Sequence, residues 1–331
     1  LNGPTALSLQ DERAAVFSAE RRILNPNGYD NPYTHQFALG YQRQLDNRRL
    51  FYVDLVHNRS ENLYRLRNLN AAAPYPITDP NNVVVRSVAE ADLTRPVPII
   101  NGTGIINGQP IAGVARNVVL TEAAGQSRYY AASVVLQQDQ GEENFGWRLN
   151  YTLSSLENNT EDINFRAQDG NNFSAEWGPS INDRRHIINA IVTYSTPFGL
   201  NLTLASLLQS GQPINRIPDA TLYGTADLNG DGSSFGDAYV GNSDRYPGAA
   251  RNSDRLPWSY NFDLSLQYLL SVGANNLEFR ADVFNLLDTR NLSGYSNNAT
   301  SSNQIQVGPS GIVQRNADAP RQAQIGLRYL F

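Results

Sequence analysis

Ala323-Gln324-Ile325-Gly326-Leu327-Arg328-Tyr329-Leu330-Phe331 is the stretch on which the fold turns. Side chains alternate across an extended strand, so Ala323, Ile325, Leu327, Tyr329 and Phe331 share one face. Gln324, Gly326 and Arg328 share the other, with Leu330 the one apolar residue among them. One oily face and one wet face suit a sheet standing between water and a hydrophobic medium. A terminal aromatic on such a strand is expected of the closing strand of a bacterial outer-membrane barrel, with Tyr329 and Phe331 as the signal read during insertion. A soluble sandwich strand alternates in the same way, so the rest of the chain has to decide.

At 331 residues the chain exceeds the usual size of a single core unless the fold is an extended sheet or a barrel. Its net charge of −5 argues against a nucleic-acid partner, which would demand dense phosphate neutralisation. Cysteine is absent, which excludes disulfides and thiolate metal sites. Lysine is absent too, so every fixed positive charge on a side chain is Arg. No apolar run is long enough for a transmembrane helix. The modest mean hydropathy is compatible with a barrel, whose strands are apolar only at every second residue. Leu1 opens without an initiator Met or a leader, which reads as a fragment or a mature product.

The two-residue rhythm recurs upstream. Phe37, Leu39 and Tyr41 alternate with polar or small neighbours, and after Asp46-Asn47-Arg48 come Phe51, Val53 and Leu55, a hairpin pattern. Tyr130 to Leu136 and, after Asp139-Gln140-Gly141, Phe145 to Leu153 form another pair. Ile188 to Tyr194 and Leu200 to Leu204 flank the turn at Thr196-Pro197-Phe198-Gly199. Trp258 to Tyr268 and Leu277 to Val283 flank a turn within 271–275, and the terminal strand ends the series. Weaker candidates lie near Val16, Leu63, Val84 and Val118.

Three features favour the membrane barrel over the sandwich. The strands are about ten residues long, the length a tilted strand needs to cross a bilayer. Trp258, Tyr268, Tyr151, Tyr194 and Tyr329 sit near the ends of apolar faces, as an interfacial girdle requires. The opposite faces carry full charges in mid-strand: Arg148, Asp263, Glu278, Arg280, Asp282 and Arg328. These six are expected to face a watery lumen, as a salt-bridge ladder holding the barrel's shape or as contacts for a plug or a passing solute. Short connections alternate with long polar ones at 66–115, 155–182, 210–255 and 288–318, the pattern of periplasmic turns and extracellular loops. Recognition is expected in the long loops. The expected fold is all-β, an antiparallel transmembrane β-barrel or part of one, with about ten to fourteen strands in this chain. Residues 1–331 are expected to form one barrel region without a plug domain.

Candidate chemistry is sparse. Asp227-Leu228-Asn229-Gly230-Asp231-Gly232 places oxygen ligands at alternate positions before a turn glycine, as a calcium loop does, and Asp237 follows. The twelfth position is Ala238 and no bidentate Glu is present, so an Asp/Asn/Gly-rich turn is the competing reading. No other cofactor is expected. Gly232-Ser233-Ser234-Phe235-Gly236 has the letters of a nucleophile elbow without its strand-to-helix setting. Asp183-Arg184-Arg185-His186 reads as the start of a strand, and His35, His57 and His186 have no metal-ligand spacing. Gly102, Gly104, Gly108 and Gly113 lack the context of a phosphate loop. No catalytic constellation can be assembled, and no enzyme is expected.

Several local motifs together resemble those of TonB-dependent receptor-like outer-membrane proteins, of the subgroup similar to the Oar adhesion and transport protein. They are Asn31-Pro32-Tyr33-Thr34-His35-Gln36-Phe37, Leu63-Tyr64-Arg65-Leu66-Arg67-Asn68-Leu69-Asn70, Ser127-Arg128-Tyr129, Tyr151-Thr152-Leu153-Ser154 and Asp183-Arg184-Arg185-His186. Ser210-Gly211-Gln212-Pro213, the Asp227 to Gly232 loop, Arg251-Asn252-Ser253, Val283-Phe284-Asn285-Leu286-Leu287 and Pro320-Arg321-Gln322 follow in order. The resemblance implies the carboxy-terminal portion of a barrel of about twenty-two strands, plugged by an amino-terminal domain. It implies an outer-membrane receptor or transporter, with a surface adhesion or structural protein and a small passive pore as alternatives. The implied partners are outer-membrane lipid, the barrel-assembly machinery acting on the last strand, a ligand that the chain does not spell out and, outside this chain, a plug and TonB.

Overall fold

The computed structural model describes residues 20–111, 114–141, 144–215, 218, 220–232, 244–293, 316–317 and 319–331. Nine long strands form the main sheet. They are β1 (Tyr33–Gln44), β2 (Arg49–Asn68), β3 (Asn117–Gln138), β4 (Phe145–Asn158), β5 (His186–Ser195), β6 (Leu200–Gln209), β7 (Ser259–Val272), β8 (Asn275–Phe284) and β9 (Gln322–Leu330). Each pairs antiparallel with the next in chain order, so the sheet is an uninterrupted meander. The alternating segments quoted above fall in these strands, to within a residue at either end.

The short turns are built locally. Asp46 Oδ1 accepts the N–H groups of Arg48 and Arg49 at 2.9 and 2.8 Å, closing β1 onto β2. Gly199 takes φ +88° in the β5–β6 turn, a conformation that a side chain would strain. The β7–β8 turn is only Gly273-Ala274, tighter than the 271–275 expected, because Gly273 at φ +65° permits a two-residue hairpin.

Two of the weaker strand candidates need correction. Leu63 lies within β2 and Val118 within β3, so neither marks a separate strand. Asn62 at φ +58° sits in an irregularity that shifts the β2–β3 register between Ser60 and Tyr64, which breaks the alternation without ending the pairing. Val84 lies in irregular chain, and Val16 lies outside the described residues. The sheet is also not wholly antiparallel, because Glu20–Ile23 runs parallel to the start of β3, Glu20 opposite Asn117.

The register sorts the two faces cleanly. Trp147, Val192, Leu204, Leu264, Val283 and Ala323 make one cross-strand row, and Phe145, Tyr194, Leu202, Leu266, Ala281 and Ile325 make the next. A third row runs from Tyr41 near the short-turn end of β1 to Tyr260 near the loop end of β7. Rows therefore slant across the strands, the stagger that a tilted barrel wall needs. No helix among the described residues is long and apolar enough to cross a membrane. The crossing elements are strands.

Buried apolar side chains sit almost entirely outside this wall. Apart from Val135, the buried hydrophobics are Leu66, Ala72, Ala91, Ile99, Ala115, Val119, Phe165, Phe173, Ile181, Ile214, Leu228 and Leu256, at the loop ends of strands or in the long loops. The wall keeps its apolar face exposed instead, with Phe37, Leu39, Ile325 and Leu327 all more than 60% accessible. A lipid-facing sheet has no other place for them. Two strands outrun a bilayer: β3, with 22 residues, spans about 70 Å at strand rise. Its far end and that of β2 are the platform for the loops.

Candidate functional site: a polar face under a braced loop assembly

Arg148, Asp263, Glu278, Arg280, Asp282 and Arg328 all lie on the sheet face opposite the aromatic rows. The expected salt-bridge ladder reduces to one ion pair among the described residues, Arg280 Nε to Asp282 Oδ2 at 2.9 Å. Arg148, Asp263 and Glu278 take neutral partners, and Asp282 takes one besides Arg280. Gln267 Nε2 donates to Glu278 at 2.9 Å, Gln324 Nε2 donates to Asp282 at 2.9 Å, and Arg148 donates to the Tyr52 hydroxyl at 2.8 Å. Asp263 Oδ1 accepts the Asn285 N–H at 2.8 Å, holding the turn that leaves β8, where Asn285 sits at φ +49°. Arg328 stands directly opposite Glu278 in the register. Amides dominate between the charges, so this face is hydrophilic rather than strongly charged.

At the loop end of the wall, two histidines lie in aromatic stacks instead of metal sites. His57 lies between Phe37 and Tyr130, with ring centroids 6.2 and 4.2 Å away. His186 lies between Tyr151 and Trp258 at 6.1 and 5.6 Å. Together they extend the interfacial girdle, in which amphipathic rings sit between oil and water.

Above that girdle the described residues of the long loops pack together. Residues 103–106 and 109–111 make a hairpin whose Asn107 and Gly108 take φ +51° and +75°, as a tight two-residue turn demands. The short helix α1 (Val88–Leu93) opens with a capping box, Ser87 Oγ accepting the Glu90 N–H and Glu90 accepting the Ser87 N–H. Burial within this body is largely polar, and arginine does the bracing. Arg251 is 0% exposed; it donates to the carbonyls of Asn158 and Glu176 at 2.8 and 2.9 Å, to Asn158 Oδ1, and to Glu161 in an ion pair. Its guanidinium also lies over the Phe165 ring. Arg95 joins Asp92 to the carbonyls of Asn70, Arg116 and Asp231. Arg245 grips Glu176 with two bonds of 2.8 and 2.9 Å, and Arg255 pairs with buried Asp183. A planar multi-donor cation can bind several carbonyls at once, which an ammonium cannot do with the same geometry.

The sequence motifs acquire roles here. Asp183-Arg184-Arg185-His186 is a staple rather than a catalytic cluster. Asp183 caps the Leu156 N–H at 2.8 Å, Arg184 donates to the Ser210 carbonyl, and the His186 N–H donates to Ser210 Oγ. Gly211 is packed so closely that a Cβ would stand 1.5 Å from the Leu256 carbonyl oxygen. We expect Gly211→Ala to push apart the 210–214 and 254–257 segments, at a cost of at least about 1–3 kcal/mol. Faster protease cutting in these segments, with the strand signal in circular dichroism retained, would record it; unchanged cutting would contradict it.

In the candidate calcium loop, Asp227 Oδ2 accepts the Gly232 N–H at 3.0 Å and Asn229 Oδ1 accepts the Asp231 N–H at 2.8 Å. Asp244, which no sequence motif marks, reaches in and accepts the N–H groups of Leu228 and Asn229 with one oxygen, at 2.7 and 2.8 Å. Burial, and then the charges of Asp231 and Asp227, push the Asp244 carboxyl well above the usual carboxylate range. Burial raises Asp227 as well. Asp237 and Ser234 lie outside the described residues. Among the described residues no three His, Asp or Glu side chains form a ready-made metal cage.

A family model described as outer membrane beta barrel domain matches residues 4–224. The fold is similar to that of the outer membrane transporter YddB from Escherichia coli, with a TM-score of 0.54 at 11% identity over 95% of this chain and 34% of that one. It is also similar to a mutant ferric enterobactin receptor, PfeA, from Pseudomonas aeruginosa in complex with enterobactin. That likeness has a TM-score of 0.50 at 15% identity over 93% of this chain and 33% of that one. The chain thus spans about a third of the length of these structures. No curated protein matches it by sequence. The resemblance read from the motifs therefore holds at the level of the outer-membrane β-barrel; the receptor or transporter role and the Oar-like subgroup belong to the proposal below. With its apolar rows, polar face and loop platform, this chain belongs to the outer membrane beta barrel domain family of the bacterial outer membrane.

Proposed function

We propose that the chain is one wall of a larger TonB-dependent receptor barrel, of the Oar-like kind, that captures a substrate with its loops and passes it along the polar face. The observation carrying this reading is a single sheet, apolar on one face and amide-rich on the other, with the loop body at one end only. Neither β1 nor β9 has a strand partner on its outer side among the described residues, as suits a segment of a wider barrel. The row Gln42, Tyr52, Val135, Asn150, Asn189, Leu207 and Asn261 slants across the polar face and carries four amides. There the exposed amides of Gln42 and Asn189 would face a hydrated lumen and offer hydrogen bonds to a solute. Gating would fall to a plug, and energy to TonB.

The test is genetic and works with an unidentified ligand. Cells lacking this gene and cells lacking TonB are compared for uptake of a panel of iron–siderophore complexes, peptides and oligosaccharides. Loss of the same compound in both strains is the expected result. Surface binding that survives loss of TonB would favour adhesion instead, and steady conductance of the purified protein in planar bilayers would favour an open pore.

A further inference from the structure

We propose that His35, Arg59 and Arg128, with the apolar groove below them, hold a phosphorylated lipid of the surrounding bilayer. The phosphate lies on the basic side chains and an acyl chain lies in the groove. This proposal rests on which face of the wall meets lipid and stands independently of the transport reading.

The register carries the first half. His35 stands opposite Arg59, and Arg59 opposite Arg128, on three neighbouring strands. All three are exposed. Two residues further into each strand come Phe37, His57 and Tyr130, so the basic row shares their face and lies one step beyond the girdle at the loop end. Like charges set directly opposite one another on neighbouring strands repel, so such a row calls for an anion beside it. The chain supplies only part of that anion. Glu61 pairs with Arg59 at 2.6 Å and takes the Tyr33 hydroxyl on its other oxygen at 2.7 Å. Glu157 stands opposite Arg128, yet the Trp177 indole N–H donates to it at 3.1 Å. The Arg128 guanidinium lies over the Trp177 ring, 5.0 Å from its centroid, and no ion pair joins it to a carboxylate among the described residues. A guanidinium over a ring still has its in-plane N–H groups to offer a phosphate as a two-pronged fork.

The second half is the groove. Phe37, His57, Tyr130 and Ser155 make one row of the lipid-facing side, and Leu39, Leu55, Ala132 and Leu153 make the next toward mid-wall. Ala132 and Ser155 are short among bulky neighbours. The gap they leave is a groove of about 580 Å3, lined among others by Phe37, Leu39, Leu55, Tyr130, Ala132 and Leu153. That volume lies in the range of small-ligand sites, about 300–1,000 Å3. An aliphatic chain suits an apolar groove on a face turned to hydrocarbon, and the basic row crosses the end of the groove nearest the headgroups.

The experiment uses the full-length protein purified from outer membranes in detergent. Native mass spectrometry reads its affinity for phosphatidic acid, for diacylglycerol with the same chains, and for inorganic phosphate. We expect phosphatidic acid to bind about tenfold or more tightly than diacylglycerol, and inorganic phosphate not to bind at millimolar concentration. Arg59→Gln combined with Arg128→Gln should abolish the preference, and Ala132→Phe, which fills the groove, should weaken phosphatidic acid binding. Heat-modifiable migration on gels establishes that each variant keeps its barrel. Equal affinities of the wild type for the two lipids would overturn the proposal, as would a preference unchanged in the folded double variant or undiminished binding in Ala132→Phe. So would inorganic phosphate binding as tightly as phosphatidic acid, since the groove would then contribute nothing.

Discussion

Replacing Arg251 with alanine is expected to loosen the loop assembly while leaving the nine-strand wall in place. Arg251 has no solvent exposure and joins three separate parts of the chain: Asn158 at the end of β4, Glu161 just beyond it, and Glu176 in the following loop. The truncation removes one member of a buried ion pair. Glu161, with a side chain only 4% accessible, is then left charged and without its strongest donor. Breaking a buried pair in this way costs about 3–5 kcal/mol, most of it from the charge left behind. Hydrogen exchange should show it as roughly a hundredfold or greater acceleration in residues 158–183 and 244–256, with the strand amides of β5 to β8 unchanged. Exchange rates in these loops within a factor of two of wild type would contradict the bracing role. Adding Glu161→Gln to Arg251→Ala should restore part of the protection, because the orphaned charge disappears with its partner.

The second large effect concerns the assignment of the faces. Leu204 and Thr203 are neighbours on β6, yet the register places Leu204 in the apolar row with Trp147 and Leu264 and puts Thr203 opposite Thr193 and Ser265. Leu204→Arg therefore carries a guanidinium into the hydrocarbon core, at about 2–4 kcal/mol if the position is near the bilayer midplane. Thr203→Arg directs the same group toward water and should change stability little. Urea titrations of the protein refolded into lipid vesicles would measure both. The contrast between the variants is the informative quantity, since strand propensity and chain position are nearly identical. Equal losses would mean that neither face is lipid-exposed.

The alternation that makes this contrast possible is legible along the chain, for a simple reason. A strand repeats every two residues, so the oily and wet faces are written into neighbouring positions, and Phe331, Tyr329 and Leu327 carry the same message as Leu204. The short turns are legible too, since Asp46-Asn47-Arg48 and Pro197-Phe198-Gly199 carry their own turn chemistry. Where the rhythm slips, at Asn62, the sequence suggests two strands in place of one long one. A bulge changes the phase of the pattern while the hydrogen-bonded ladder continues, and only the pairing partner reveals that.

The loop body lies beyond that reach. Its contacts join residues far apart in sequence, such as Glu161 with Arg251, 90 positions away, and Asp244 with the loop at Asp227 to Gly232. No period links such positions. The motifs at Asp183, Ser210 and Arg251 mark a family resemblance, yet their bracing partners Glu161, Glu176 and Arg245 carry no local sign. Arg86, Arg95 and Arg251 each bind two or more carbonyl oxygens inside the loops, a task that suits a planar guanidinium better than a lysine ammonium. By itself, then, the sequence determined the medium on each side of the wall, the order of the strands and the side on which the loops stand. The tertiary structure alone decided which charges are buried together in those loops and that Asp244 holds the amides of Leu228 and Asn229. Face polarity follows from local geometry, whereas the meeting of distant side chains depends on how the whole chain closes around them.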